Sequence, residues 1–290
     1  MLFSAILTGL VLGGTYALVA MGLTLQYGVA RIMNLAYGDI IIAASFGAFV
    51  LFTALGINPL LGMLIVIPAG FALSWLIYAV MLQPLARRSR DRGRLEGDSI
   101  LATFGLLFVI QGVALVIFGS GFMSYSYLAV PIDILGTTIA ANRLLAFGLA
   151  ITFGLGLWLV LTRTRFGTVI RAVAANPASA PLVGINVDSV ARFAFAIGGA
   201  LAAAGGVVVS MYLTFSATMG VIFTMKALIV VIMGGVGNLM GALAAGLILG
   251  LVETLVASFI DPGLTLAATY LIFLAVLVVR PQGLFGKAAR

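Results

Sequence analysis

Four ionisable residues, Arg31, Asp39, Lys226 and Glu253, stand within or beside long apolar stretches. A charge at a bilayer centre costs about 2.5–3.5 kcal/mol on insertion scales, so such groups pair, line a path or couple ion movement. Arg31 and Asp39 are the only charges in residues 1–86, and both fall in RIMNLAYGDIII together with Asn34 and Tyr37. Lys226 and Glu253 bracket 26 uncharged residues and meet only if the chain folds back in GGVGNLMG, residues 234–241. Three roles stay open for this pair: a structural ion pair, a lysine reaching to the interface, or a substrate or gate contact.

Other chemistry is excluded by composition. The chain has no histidine and no cysteine, which removes thiolate nucleophiles, imidazole bases, disulfides and the usual zinc ligands. An intramembrane enzyme would lack a nucleophile and base pair. The two lysines, Lys226 and Lys287, are not part of a glycine-rich phosphate loop, so no nucleotide site is present and any ATP must be bound by another subunit. No cofactor is expected in this chain.

The two polar breaks invite a common reading. Asn34, Gly38 and Asp39 form either a polar loop at the inner surface or a broken helix lining a translocation path, since non-helical backbone at membrane depth is tolerated only in protein or beside water. In the second case Gly38 permits the tight backbone, Asn34 bonds the freed amides and Asp39 caps the next helix. Gly234, Gly235, Gly237 and Asn238 make the second break.

The elements that must position these residues are membrane spans. Of 290 residues 63% are hydrophobic and 8% charged, against about 25% charged in a soluble domain. Charge-free runs long enough to cross the bilayer predict an all-α polytopic transmembrane helix bundle of eight or nine spans: 1–30, two within 40–86 broken at GINP, 99–132, 144–162, 193–225, a region 227–252 interrupted by glycines, 243–260 and 264–279. The first run lacks the basic start of a cleaved signal and reads as a retained span. Thirty-six glycines, with Gly9/Gly13, Gly237/Gly241 and Gly246/Gly250 four apart, predict close helix packing.

The formal charge of +7 sets orientation rather than nucleic-acid binding, because twelve of the fifteen basic residues lie in segments 83–98, 163–192 and after residue 279. Those segments alternate with nearly charge-free loops and mark the cytoplasmic side. Nine crossings place the N-terminus outside and the C-terminus inside; eight would move the N-terminus inside.

The longest cytoplasmic loop between spans, about 163–190, reads TRFGTVIRAVAANPASAPLVGINVDSVARF from Thr164 onward. A helical tail carries Arg171; Asn176 reads as an N-cap, Pro177 as a first helical residue and Gly184 as terminator, and Asp188 with Ser189 starts the next span. So short and well-punctuated a helix suits docking, although an ordinary positive-inside loop is the alternative.

The stretch FGTVIRAVAANPASAPLVGINV resembles the cytoplasmic loop of permease subunits in ABC importers of the branched-chain amino acid (LivH-like) family. YGVARIMNLAYGDIIIAASFGAF, KALIVVIMGGVGNLMGALAAGLILGLVETL and the terminal RPQGLFG resemble other family segments in the same order. Pro181, inside the region that matches the coupling helix, departs from the family and predicts a shortened or 3₁₀ turn. The resemblance implies one permease domain over residues 1–290 in the bacterial inner membrane. It also implies a second related permease, two cytoplasmic ATPase subunits holding ATP and magnesium, and an extracytoplasmic solute-binding protein. Arg171, Asn176, Pro177, Gly184 and Asp188 would couple to the ATPase. The rival reading is an ion-coupled secondary transporter in which Lys226/Glu253 and Arg31/Asp39 carry the coupling.

Overall fold

The computed structural model describes residues 2–89, 92–134 and 137–286. Arg90, Lys287 and Arg290, three of the basic residues that set the orientation, lie outside the described residues. Helix dominates: α1 (Leu2–Ala30), α2 (Tyr37–Thr53), α3 (Pro59–Ile77), α4 (Gln83–Arg88), α5 (Arg92–Phe118), α6 (Ala141–Arg163), α7 (Arg165–Ala175), α8 (Val187–Ser210), α9 (Gly220–Gly234), α10 (Leu239–Phe259) and α11 (Thr265–Val279). A π turn, Tyr78–Leu82, joins α3 to α4 without interrupting the rod. Seven helices are long and apolar enough to cross a membrane, and α2 and α9 are shorter apolar helices. Among the described residues this makes nine apolar segments, the upper of the two expected counts.

Helix α8 occupies the centre. Its small residues let α1, α2 and α3 pack along it, and α10 lies along the other side of α1. Two of the expected glycine pairs meet each other: Gly9 and Gly13 of α1 face Gly250 and Gly246 of the antiparallel α10, so closely that a Cβ on Gly250 would overlap the backbone of Gly13. Lipid supplies no hydrophobic drive between spans, and such close backbone approach supplies van der Waals contact instead. Gly237 belongs to the α9–α10 turn and Gly241 to the first turn of α10 instead.

The sequence boundaries needed two corrections. The span expected over 99–132 ends at Phe118, followed by an outer connection with one antiparallel hairpin, Pro131–Ile134 paired with Thr137–Ala140. The span expected over 193–225 is two elements, because α8 starts early at Val187 and at about 1.5 Å per residue has crossed by Ser210. The chain then turns back, and α9 begins at Gly220, so Lys226 lies inside a helix.

The basic segments collect at one end. Arg87 at the end of α4 pairs with Asp188 at the start of α8 at 2.9 Å, and Arg192 bonds Gln83. With that end inside, α1 runs inward from an outer N-terminus and α11 runs inward to the C-terminal tail.

Candidate translocation and coupling sites

The first break is re-entrant. After α1 the backbone reverses at Arg31, whose φ is 56°, and residues 31–36 run back into the bundle. Their freed polar groups find side-chain partners, as lipid burial demands. Asn34, fully buried, accepts from the Ala36 amide at 3.1 Å and donates to Gln26 Oε1 at 3.1 Å, while Gln26 Nε2 donates to the Phe195 carbonyl at 2.9 Å. The Leu35 amide donates to Thr103 Oγ1 at 3.1 Å, and Thr224 Oγ1 donates to the Leu35 carbonyl at 3.0 Å. Helix α2 therefore starts midway through the bundle, where the Tyr37 hydroxyl donates to the Val19 carbonyl at 2.8 Å.

A second helix starts at the same point. A Cβ on Gly38 would overlap the Gly220 carbonyl and Thr224, and one on Gly220 would overlap the Asp39 carboxylate. The N-termini of α2 and α9 thus converge, α2 running outward and α9 inward. Asp39 is not a cap, contrary to expectation: α2 begins at Tyr37 after Ala36, which makes no side-chain cap bond, and Asp39 lies within the first turn. It is 2% exposed, and among the described residues neither carboxylate oxygen has a hydrogen-bond partner. Its carboxyl group sits beside two helix N-termini, whose partial positive charge favours an anion.

Lys226 and Glu253 are brought together by the α9–α10 hairpin. Lys226 Nζ lies 2.9 Å from Glu253 Oε2, with the two side chains 17% and 5% exposed. The Tyr16 hydroxyl donates to the same oxygen at 2.7 Å and accepts from Nζ at 2.5 Å, and Thr269 Oγ1 donates to Oε1 at 2.6 Å. Both carboxylate oxygens are thus occupied, and one ion pair joins α1, α9, α10 and α11. Tyr16 and Thr269 carry no sequence signal for this role.

The hairpin turns through the second break. Gly235 and Gly237 have φ of 101° and 79°, a region closed to most side chains. Gly234 and Gly241 touch so closely that a Cβ on either would overlap the other. Asn238 caps α10, accepting from the Gly241 amide at 3.1 Å, and its Nδ2 donates to the Phe285 carbonyl at 2.9 Å. The amides of Leu284 and Phe285 donate to the carbonyls of Met233 and Gly234 at 2.8 and 3.2 Å. The terminal RPQGLFG therefore folds onto the glycine break.

The loop at the inner end has a different build from the one expected. Thr164 caps α7, accepting from the Gly167 amide at 3.1 Å, and Arg171 is exposed on that helix. Asn176 terminates α7 and its Oδ1 accepts from the Ala178 and Ser179 amides at 3.1 and 3.2 Å, so it caps a turn containing Pro177 rather than an α-helix. One 3₁₀ turn, Ala180–Val183, follows and stops at Gly184 with φ 78°. Pro181, lacking an N–H, fits the 3₁₀ turn better than an α-helix. The cap of α8 is Asn186, which accepts from the Ser189 amide at 3.1 Å, and Asp188 in its first turn pairs with Arg87. Sequence reasoning missed the turn's most prominent feature: Leu182 and Val183 are 86% and 73% exposed at the charged end of the bundle.

A polytopic helix bundle with two helix N-termini meeting inside it and a punctuated loop at one end defines a membrane transport protein. The family described as "Branched-chain amino acid transport system / permease component" matches residues 5–280, and the chain belongs to it. This makes it a multi-pass protein of the inner membrane. Among curated proteins it is 29% identical to the high-affinity branched-chain amino acid transport system permease protein LivH of Salmonella typhimurium, covering 96% of this chain and 94% of that one. It is 27% identical to the corresponding BraD of Pseudomonas aeruginosa, over 97% and 95%. A probable LivH of Methanocaldococcus jannaschii is 30% identical over 93% of this chain and 88% of its own length. Among solved structures, PsaBC from Streptococcus pneumoniae in complex with Fab is similar in fold, with a TM-score of 0.51, 13% identity and coverage of 97% and 92%.

Proposed function

We propose that this chain is one permease subunit of an ATP-binding cassette importer that carries branched-chain or related amino acids into the cytoplasm. It pairs with a second related permease, two cytoplasmic ATPase subunits that hold ATP and magnesium, and an extracytoplasmic binding protein that delivers the solute. The chain itself performs no covalent chemistry. The observation that carries this reading is the capped turn with Leu182 and Val183 exposed, an apolar knob of the kind that a soluble partner covers.

In this mechanism, ATP binding and hydrolysis in the partners move the knob as a rigid unit, because Asn176 and Gly184 fix both its ends. The turn leads directly into α8, the central helix, so displacement is passed to α2 and α3 packed along it, while Glu253 ties α1 to α9, α10 and α11. A small shift at the loop then biases the bundle between outward-open and inward-open packing. The meeting point of α2 and α9, with Asn34, Gly38 and Asp39, is where two helices can part without breaking either. The test is affinity purification of the tagged chain in mild detergent with Leu182→Asp or Arg171→Ala. ATPase subunits should co-elute with the wild type and be lost from Leu182→Asp while membrane insertion is unchanged. Undiminished co-elution and uptake with these substitutions would sink the docking assignment.

A further inference from the structure

The inner end of the bundle carries a cavity of about 610 Å³ walled by the end of α1, the end of α6, α7 and the α9–α10 turn. That volume lies within the range of sites for bound small molecules, about 300–1,000 Å³. Two guanidinium groups, those of Arg31 and Arg171, belong to its lining. Neither forms a salt bridge among the described residues. Arg31 makes one long bond to the Ala174 carbonyl, at 3.4 Å, and Arg171 makes two, to the Gly167 carbonyl and Thr168 Oγ1, each at 3.4 Å. Among the described residues no carboxylate lines the cavity; the nearby Glu96 accepts from the Tyr27 hydroxyl at 3.2 Å.

A second cavity of about 260 Å³ adjoins the first, and Trp158, Leu239 and Met240 line both. Its remaining walls are apolar, among them Met21, Phe147 and Leu243. From Trp158 to Phe147 along α6 is eleven residues, or about 16 Å, close to the half-thickness of about 15 Å that one leaflet's chains span. The charged cavity thus opens onto an apolar groove running toward the midplane, with a tryptophan at the junction, where interfacial aromatic side chains collect.

We propose that this composite groove binds an anionic phospholipid of the inner leaflet, its phosphate between Arg31 and Arg171 and an acyl chain along α6 and α10. Basic pockets between spanning helices on the cytoplasmic side suit such head groups. The charge complementarity selects an acidic lipid over a zwitterionic one, and the attached apolar groove selects a lipid over a free anion. The site also gives Arg31 a counter-charge.

Trp158 is a built-in reporter, because the chain has only two tryptophans, Trp75 and Trp158. The full chain with Trp75→Phe, in phosphatidylcholine vesicles, is titrated with phosphatidylglycerol or phosphatidylcholine bearing brominated acyl chains. Brominated phosphatidylglycerol is expected to quench Trp158 more strongly. Arg31→Gln should lower that preference about fivefold, the worth of one basic residue near an anionic head group, and Arg31→Lys should retain most of it. Equal quenching by the two lipids would overturn the proposal, as would a preference unchanged by Arg31→Gln. Loss of the preference on adding inorganic phosphate would reassign the cavity to a free anion. Native mass spectrometry of the unsubstituted chain provides a second readout, expected to retain phosphatidylglycerol over phosphatidylcholine; equal retention would contradict the site.

Discussion

Asp39 and Glu253 are the two buried carboxylates among the described residues, and the bundle holds them in opposite ways. Glu253 receives bonds from Lys226, Tyr16 and Thr269, one from each of three other helices. Asp39 receives none and lies beside two converging helix N-termini. Directional bonds fix helices relative to one another, whereas a dipole contact between helix ends weakens gradually as they separate. The pair contrasts a tied joint with a looser one: Glu253 links α1, α9, α10 and α11, whereas the start of α2 meets α9 through Thr224, which donates to the Leu35 carbonyl and accepts from the Gly38 amide, and Asp39 adds no bond.

The largest effect should come from breaking the tie. Lys226→Met leaves a buried charge without its cation, and the expected loss is about 3–5 kcal/mol, read as thermal unfolding of the purified chain in detergent. Adding Glu253→Leu should recover a large part of that loss, since an apolar pair can replace a buried ion pair. A double variant no more stable than the single one would deny Glu253 the role of a strut. Next in size is Gly38→Ala, whose methyl group forces α2 from the Gly220 carbonyl at a cost of about 1–3 kcal/mol; a neutral result would mean that the two helix ends already have slack.

Asn238→Ala, which removes the α10 cap and the bond to the C-terminal tail, should cost about 1 kcal/mol. Hydrogen exchange would show the change in residues 234–241 and 280–286 first; protection left intact there would detach the tail from the hairpin. The smallest stability effect is expected for Asp39→Asn, within about 1 kcal/mol, because no hydrogen bond is lost. Its effect should appear in uptake rate instead. A destabilisation as large as that of Lys226→Met would place both carboxylates in one class and remove the contrast.

Local features of the fold were legible in the sequence to the extent that they carry their own chemistry. The breaks at residues 31–39 and 234–241 announced themselves through asparagine and glycine, and the basic clusters gave the inner end. The hairpin joining Lys226 to Glu253 was readable as a condition, though its partners Tyr16 and Thr269 were not, because they come from helices remote in the chain. Asp39 was misread as a cap; Asp188, read as a start signal, does lie in the first turn of α8, but the cap itself is Asn186. Capping depends on whether a residue sits before or inside the first turn, and the asparagine at position 186 outcompeted the aspartate two residues later. Leu182 and Val183 escaped notice because one leucine and one valine in an apolar chain are unremarkable until the backbone turns them out to solvent.

The central claim is that movement is driven through the inner loop by partner ATPases and not by an ion gradient across this chain. Uptake of labelled leucine into liposomes tests it directly, with the purified chain alone under a proton or sodium gradient set against the co-purified assembly supplied with ATP and the binding protein. The account predicts no gradient-driven uptake by the chain alone and ATP-dependent uptake by the assembly, abolished by Leu182→Asp. Gradient-driven uptake by the chain alone, without ATP, would contradict it.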